Sequence, residues 1–105
     1  MSVVNKLRGM ISLAAKAGKV VSGDTAVAAA AQKKEAHLLL AEKNASANTM
    51  DKMGKLKAAY ALPMLLIEDL GACIGKPGRT MVAVVDEGFA KAILKKNDEC
   101  NDTGV

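Results

Sequence analysis

Three short apolar runs punctuate the chain: "HLLLA" at residues 37–41, "PMLLI" at 63–67 and "TMVAVVD" at 80–86. Each has the length of a strand, and the apolar residues run on without polar ones alternating between them. That pattern belongs to strands covered on both faces, not to a sheet with one face in water. The segments between them repeat at helical spacing. Val4, Leu7, Ile11 and Ala14, widened by Met10, Leu13 and Ala17, predict an amphipathic helix over 3–17 closed by Gly18, and the short extended piece "KVVS" follows it. Gly23 to Lys34 reads as an alanine helix, with Asp24 at its start and Lys33 and Lys34 at its end carrying the signs that a helix dipole favours. "NASANT" is a turn with capping residues leading into a lysine-rich helix through about Tyr60, "EDLGACIG" a short helix closed by Gly75, "KPGR" a loop, and "EGFAKAILKK" a last helix. Helix and strand alternating through short loops predict an α/β fold, a three-layer α/β/α sandwich around a small mixed sheet of about four strands.

The 105 residues, 50% hydrophobic, suffice for one domain with a buried core and not for two. Residues 1–97 are expected to form it, and the polar, acidic tail 98–105 is expected to fray. All 15 basic residues lie in 1–97 against 8 acids, so this body carries +7, while Asp98, Glu99 and Asp102 make the tail −3. A basic body suits a polyanionic partner without requiring one. No apolar run approaches the ~18 residues of a membrane span, and "MSVVNKLRGMISLAAKAGK" lacks the layout of a signal peptide, so a cytoplasmic protein is expected.

The sequence offers little to an enzyme. Cys73 and Cys100 are too few for a zinc site, His37 has no metal-binding neighbour, and no dinucleotide, metalloprotease or nucleophile-elbow motif occurs. In "GACIGKPGRT" the glycines Gly71 and Gly75 enclose three residues where a Walker loop has four, and Pro77 stands where a Ser or Thr would hold magnesium. The acid pairs Glu68-Asp69 and Asp86-Glu87 fall where strands give way to helices, where carboxylates serve helix N-termini. No catalytic residue, metal or cofactor is expected.

Tyr60 and Phe89 are the only aromatics, so bases cannot be held on paired stacking platforms. A nucleic acid would have to be met by backbone amides, helix ends, small polar side chains and cations. The "SGDT" stretch suits that mode: Gly23 lets a phosphate-sugar backbone come close, first-turn amides point outward, and Ala28 to Ala31 raise no obstruction. The same alanines also suit tight packing of a helix on a sheet, and Ser22 or Asp24 also suits a cap.

The stretches "LAAKAGKVVSGDTAV", "AHLLLAEKNASANT" and "ALPMLLIEDLGACIGKPGRTMVAVVDEGFAKAI" occur in this order over nearly all of residues 3–95. In them the chain resembles the YlxQ-like bacterial branch of the ribosomal protein superfamily whose archaeal and eukaryotic members bind kink-turn RNA. The resemblance implies an α/β/α sandwich that binds structured RNA, ribosomal RNA being one such target; a monomer is expected. It places RNA contacts at the start of the second helix, on Lys19, Ser22, Gly23, Asp24 and Thr25. It places others in the loop before the last strand, on Ile74, Gly75, Lys76, Pro77, Gly78 and Arg79, and an acidic contact at Glu42. The best-known kink-turn binders have Gly at the place of Ser22, and Asn-Glu or Lys-Gln at that of Asp24-Thr25. Aspartate can accept from a guanine amino group but repels phosphate, and threonine has the shorter reach, so the resemblance implies structured RNA more strongly than a standard kink-turn. Two other readings stay open: a protein-interaction module, with a ribosomal or other protein partner, using "NASANT" and "KPGR", and a small phosphate-ligand sensor or enzyme.

Overall fold

The computed structural model describes residues 3–103. In chain order the elements are α1 (Val3–Lys16), β1 (Val20–Ser22), α2 (Asp24–Gln32), β2 (Leu38–Glu42), α3 (Ala47–Tyr60), β3 (Met64–Ile67), α4 (Leu70–Cys73), β4 (Met81–Val84) and α5 (Glu87–Thr103). The four strands form one mixed sheet in the order β1-β4-β2-β3, with β4 antiparallel to both neighbours and β2 parallel to β3. β1, β2 and β3 therefore run one way and β4 the other. The ends of the first three and the start of the fourth share one end of the sheet.

The unbroken runs divide by alternation into two cores. Leu38 and Leu40 of β2 with Val82 and Val84 of β4 face Leu7, Ile11 and Ala14 of α1, Leu70 and Cys73 of α4, and Ala90 and Ile93 of α5. Leu39, Ala41, Met81 and Ala83 face the other way, onto Val27 and Ala30 of α2 and Met53 of α3. This is why neither strand could alternate with polar residues. Leu38, Leu39 and Leu40 are fully buried, and burying a leucine stabilises a fold by about 1.5 to 3 kcal/mol. On the second face, small meets small: Ala30 of α2 packs in the cluster with Ala41 and Ala83 of the sheet, so the smooth helix can lie close to it.

Helix ends follow local chemistry. α1 stops as anticipated: Gly18 takes φ 74, its amide donates to the Ala15 carbonyl, and that of Lys19 to the Ala14 carbonyl. Ser46 caps α3 by accepting from the Thr49 amide at 3.2 Å, and the Asp86 carboxylate caps α5 by accepting from that of Phe89 at 2.8 Å. His37 is half-buried at the entrance to β2, its backbone amide donating to the Val84 carbonyl.

Three expectations are corrected. "PMLLI" was expected to be buried on both faces, but β3 is an edge strand and Leu66 is 51% exposed. The alanine helix ends at Gln32, not Lys34, because Lys34 adopts the left-handed φ of 61 that breaks the helical path. The last helix continues past Lys96 to Thr103, with Lys96 and Glu99 paired at 3.1 Å. Residues 104 and 105 lie outside the described residues.

Candidate functional site

The shared end of the sheet gathers four stretches far apart in sequence. β1 delivers Ser22 and Gly23 into α2, β2 delivers Glu42 into the turn before α3, β3 leads into Glu68 and Asp69, and β4 begins at the end of the loop 74–80. Backbone bonds tie them: the Gly23 amide donates to the Met81 carbonyl and that of Glu42 to the Thr80 carbonyl, both at 2.9 Å.

Gly23 sits at the N-cap of α2 with φ 96 and ψ 155, and no side chain caps the first turn. The amides that open this nine-residue helix thus have no side-chain oxygen of their own to bind. A Cβ placed on Gly23 would stand 2.6 Å from Nη1 of Arg79. The guanidinium therefore lies directly over the helix start, joining the two segments that the sequence marks as separate.

The loop beneath that arginine is a tight turn. Pro77 and Gly78, with φ 89, occupy its middle, and the Arg79 amide donates to the Lys76 carbonyl at 3.2 Å, an arrangement suited to the Pro-Gly sequence. It presses against α4 at Gly71, where a Cβ would meet the Lys76 carbonyl oxygen at 2.8 Å and the Gly78 nitrogen at 2.9 Å. Gly71 is thus a packing residue, a role its resemblance to the first glycine of a phosphate loop does not suggest. Gly75, Lys76, Pro77, Gly78 and Arg79 are exposed. Ile74 is 8% exposed and belongs to the core beneath α1, so it anchors the loop and is not presented with it.

Glu42 is likewise taken up by the protein itself. Its carboxylate accepts from the amides of Leu70 at 2.8 Å, and of Asp69 and Asn44 at 3.2 Å each. It caps α4 from across the sheet, while Arg8 of α1 donates to the carbonyls of Glu68 and Asp69 from the other side. Asp69, at the left-handed φ of 54, offers no side-chain cap of its own, which is why a distant carboxylate takes its place. Partial burial works against the charge on Glu42, but the amides of Leu70, Asn44 and Asp69 and the nearby Arg8 outweigh it and hold the carboxyl below its ordinary 4.5. With the folded value depressed, the stabilisation is complete above 4.5 and is lost as pH falls through the folded value. Glu42→Gln is expected to cost about 0.5 to 1 kcal/mol at neutral pH, a figure reduced for solvent screening. In thermal unfolding the gap to wild type should narrow at about pH 3; a gap unchanged by acid would reject the charged brace.

Asp24 and Thr25 are exposed at the first turn of α2, and Ser22 is half-buried in β1 opposite Val82. Asp24 is paired: its Oδ2 lies 2.7 Å from Nζ of Lys52 on α3. Lys19 stands apart from this group. Its carbonyl accepts from the Val85 amide beyond the far end of β4, separated from Gly23 by the length of β1, roughly 10 Å of extended chain. Lys43, exposed just after β2, adds a cation at the gathered end. Lys52 and the brace of Arg8 and Glu42 escape sequence reading because each partner lies more than 25 residues away.

No helix among the described residues is long and apolar enough to cross a membrane. No family model matches the sequence. Over 92 residues the chain is 37% identical to the RNA-binding protein YlxQ of Bacillus subtilis (strain 168), covering 85% of this chain and 92% of that one. Over 89 residues it is 32% identical to the RNA-binding protein YlxQ of Enterococcus faecium, covering 82% and 85%. Among solved structures, a protein with unknown function from Bacillus halodurans C superposes with a TM-score of 0.82 at 27% identity, over 89% of this chain and 97% of the other. The Giardia lamblia 15.5kD RNA binding protein shares the fold at 10% identity, with a TM-score of 0.72 over 95% and 88%. With relatives this similar over most of its length, the chain belongs to the YlxQ family.

Proposed function

We propose that the protein binds structured RNA at the end of the sheet where α2 starts, and that its target has the sharply bent backbone of a kink-turn, ribosomal RNA being the natural source. One observation carries this reading: Arg79 lies over Gly23, so an uncapped helix N-terminus and a cationic loop form one surface. Free first-turn amides attract phosphate, and a guanidinium beside them can bind a second phosphate oxygen through paired donors. Relatives named RNA-binding proteins support it, and they carry binding names, not catalytic ones. Lys76 and Lys43 extend the positive field, and the glycines let the chain approach closely where no aromatic side chain is available to stack.

The test is a titration of a labelled kink-turn RNA against a straight duplex of equal length at ~0.15 M salt, where charge-only binding has Kd near 10⁻⁴ to 10⁻⁶ M. Kink-turn binding is expected to be tighter by tenfold or more. With three to five phosphates neutralised at roughly 0.7 to 0.9 each, the log-log salt slope should lie at about −2 to −4. Equal, weak binding to both RNAs would reject shape recognition, and salt-insensitive binding to a protein instead would favour an interaction module.

A further inference from the structure

Asp24 poses a problem for any RNA contact at this surface. It stands on the first turn of α2, 56% exposed, beside a glycine and an arginine that favour phosphate. An unpartnered carboxylate there would repel the ligand that the helix start attracts. Its charge is not unpartnered, because Lys52 reaches across from the second turn of α3 and meets it at 2.7 Å. The pair joins two helices and remains open to solvent, with side-chain exposures of 45% for Lys52 and 56% for Asp24. As a contribution to stability, such a surface pair is worth ~0 to 1 kcal/mol. Its position matters more than that contribution.

Resting on the reading of this end as the RNA contact, we propose that Lys52 is a positioning residue for RNA recognition. It cancels the charge of Asp24 and fixes the carboxylate by one oxygen, Oδ2. The other oxygen, Oδ1, is left as a hydrogen-bond acceptor for an exocyclic amino group of a base. A charge-neutral acceptor is compatible with neighbouring phosphates, and an amino group is the base feature that such an acceptor reads. The interface thereby extends from α2 to α3, and the acidic residue becomes part of the recognition surface.

The test is a double-mutant cycle with the same kink-turn RNA at ~0.15 M salt, each variant first checked for unchanged circular dichroism. Lys52→Met alone leaves the carboxylate uncompensated and is expected to weaken binding about tenfold. Asp24→Asn removes the charge that Lys52 cancels and serves as the background in which Lys52 is tested again. The double variant should bind within about threefold of Asp24→Asn, because the charge that Lys52 cancels is gone. Lys52→Arg should retain binding. If Lys52→Met weakens binding about tenfold in the Asp24→Asn background as well, the lysine is an ordinary phosphate contact and the pairing proposal is overturned. A wild-type protein that does not distinguish kinked from straight RNA would overturn the parent reading, and this one with it. That result is visible before any variant is compared.

Discussion

Reversing two charges, Lys76→Glu with Arg79→Glu, is expected to lower affinity for structured RNA by about 100-fold or more at ~0.15 M salt. Each phosphate contact contributes a counterion-release slope near 0.9 at most, which at that salt amounts to about fivefold in affinity. Losing two contacts then costs roughly 25-fold, and two carboxylates facing the phosphates add repulsion beyond it. The loss should shrink as salt rises, because the contribution itself is ionic. Folding should be spared: both side chains are exposed, and the turn is held by backbone bonds from Lys76 to Gly71 and from Arg79 to Lys76. Gel-shift or fluorescence titration beside a thermal melt separates the two effects. A doubly reversed protein that melts as wild type and binds RNA within threefold of it would remove the loop from the interface.

Much of the architecture was legible in the residues, for reasons visible in the packing. "HLLLA" reads as a strand covered on both faces because Leu38 and Leu40 serve one core and Leu39 and Ala41 the other. "PMLLI" has the same look, yet β3 lies at the edge with Leu66 half in water. Strand order is a long-range property, and an apolar run does not carry it. The end of α5 is obscured in the opposite way. Apolar periodicity fades after Leu94 while the backbone stays helical to Thr103, so the pattern stops short of the helix end. The residues marked around Gly23 and in the loop 74–79 do meet, through Arg79. Glu42, Ile74 and Lys19 take other positions. One braces α4, one is buried, and one stands at the far end of β1. None of these positions follows from local spacing, because each is set by partners brought in by tertiary structure.

Gly23→Ala is expected to cost about 1 to 3 kcal/mol of stability. The backbone at φ 96 and ψ 155 occupies a region that is essentially closed to residues with a Cβ. Nor does the surrounding structure have a spare arrangement, since the Gly23 amide donates to Met81 and its carbonyl accepts from Val27. Flipping to a negative φ would break one bond or the other, detaching β1 from β4 or unwinding the first turn of α2. The collision of a new methyl with Arg79 is the smaller part of the cost, because a flexible guanidinium at 2.6 Å can swing aside. Swinging aside has a functional consequence, however, as it takes the arginine off the helix start and separates the two halves of the surface. Chemical denaturation should therefore report a lower midpoint with an unchanged slope, and RNA affinity measured well below that midpoint should fall as well. Arg79→Ala is the companion variant: it should weaken RNA binding and leave the denaturation midpoint where it was. A Gly23→Ala protein as stable as wild type would show that the N-cap backbone is free to relax, and that the close approach at this glycine is not enforced by the fold.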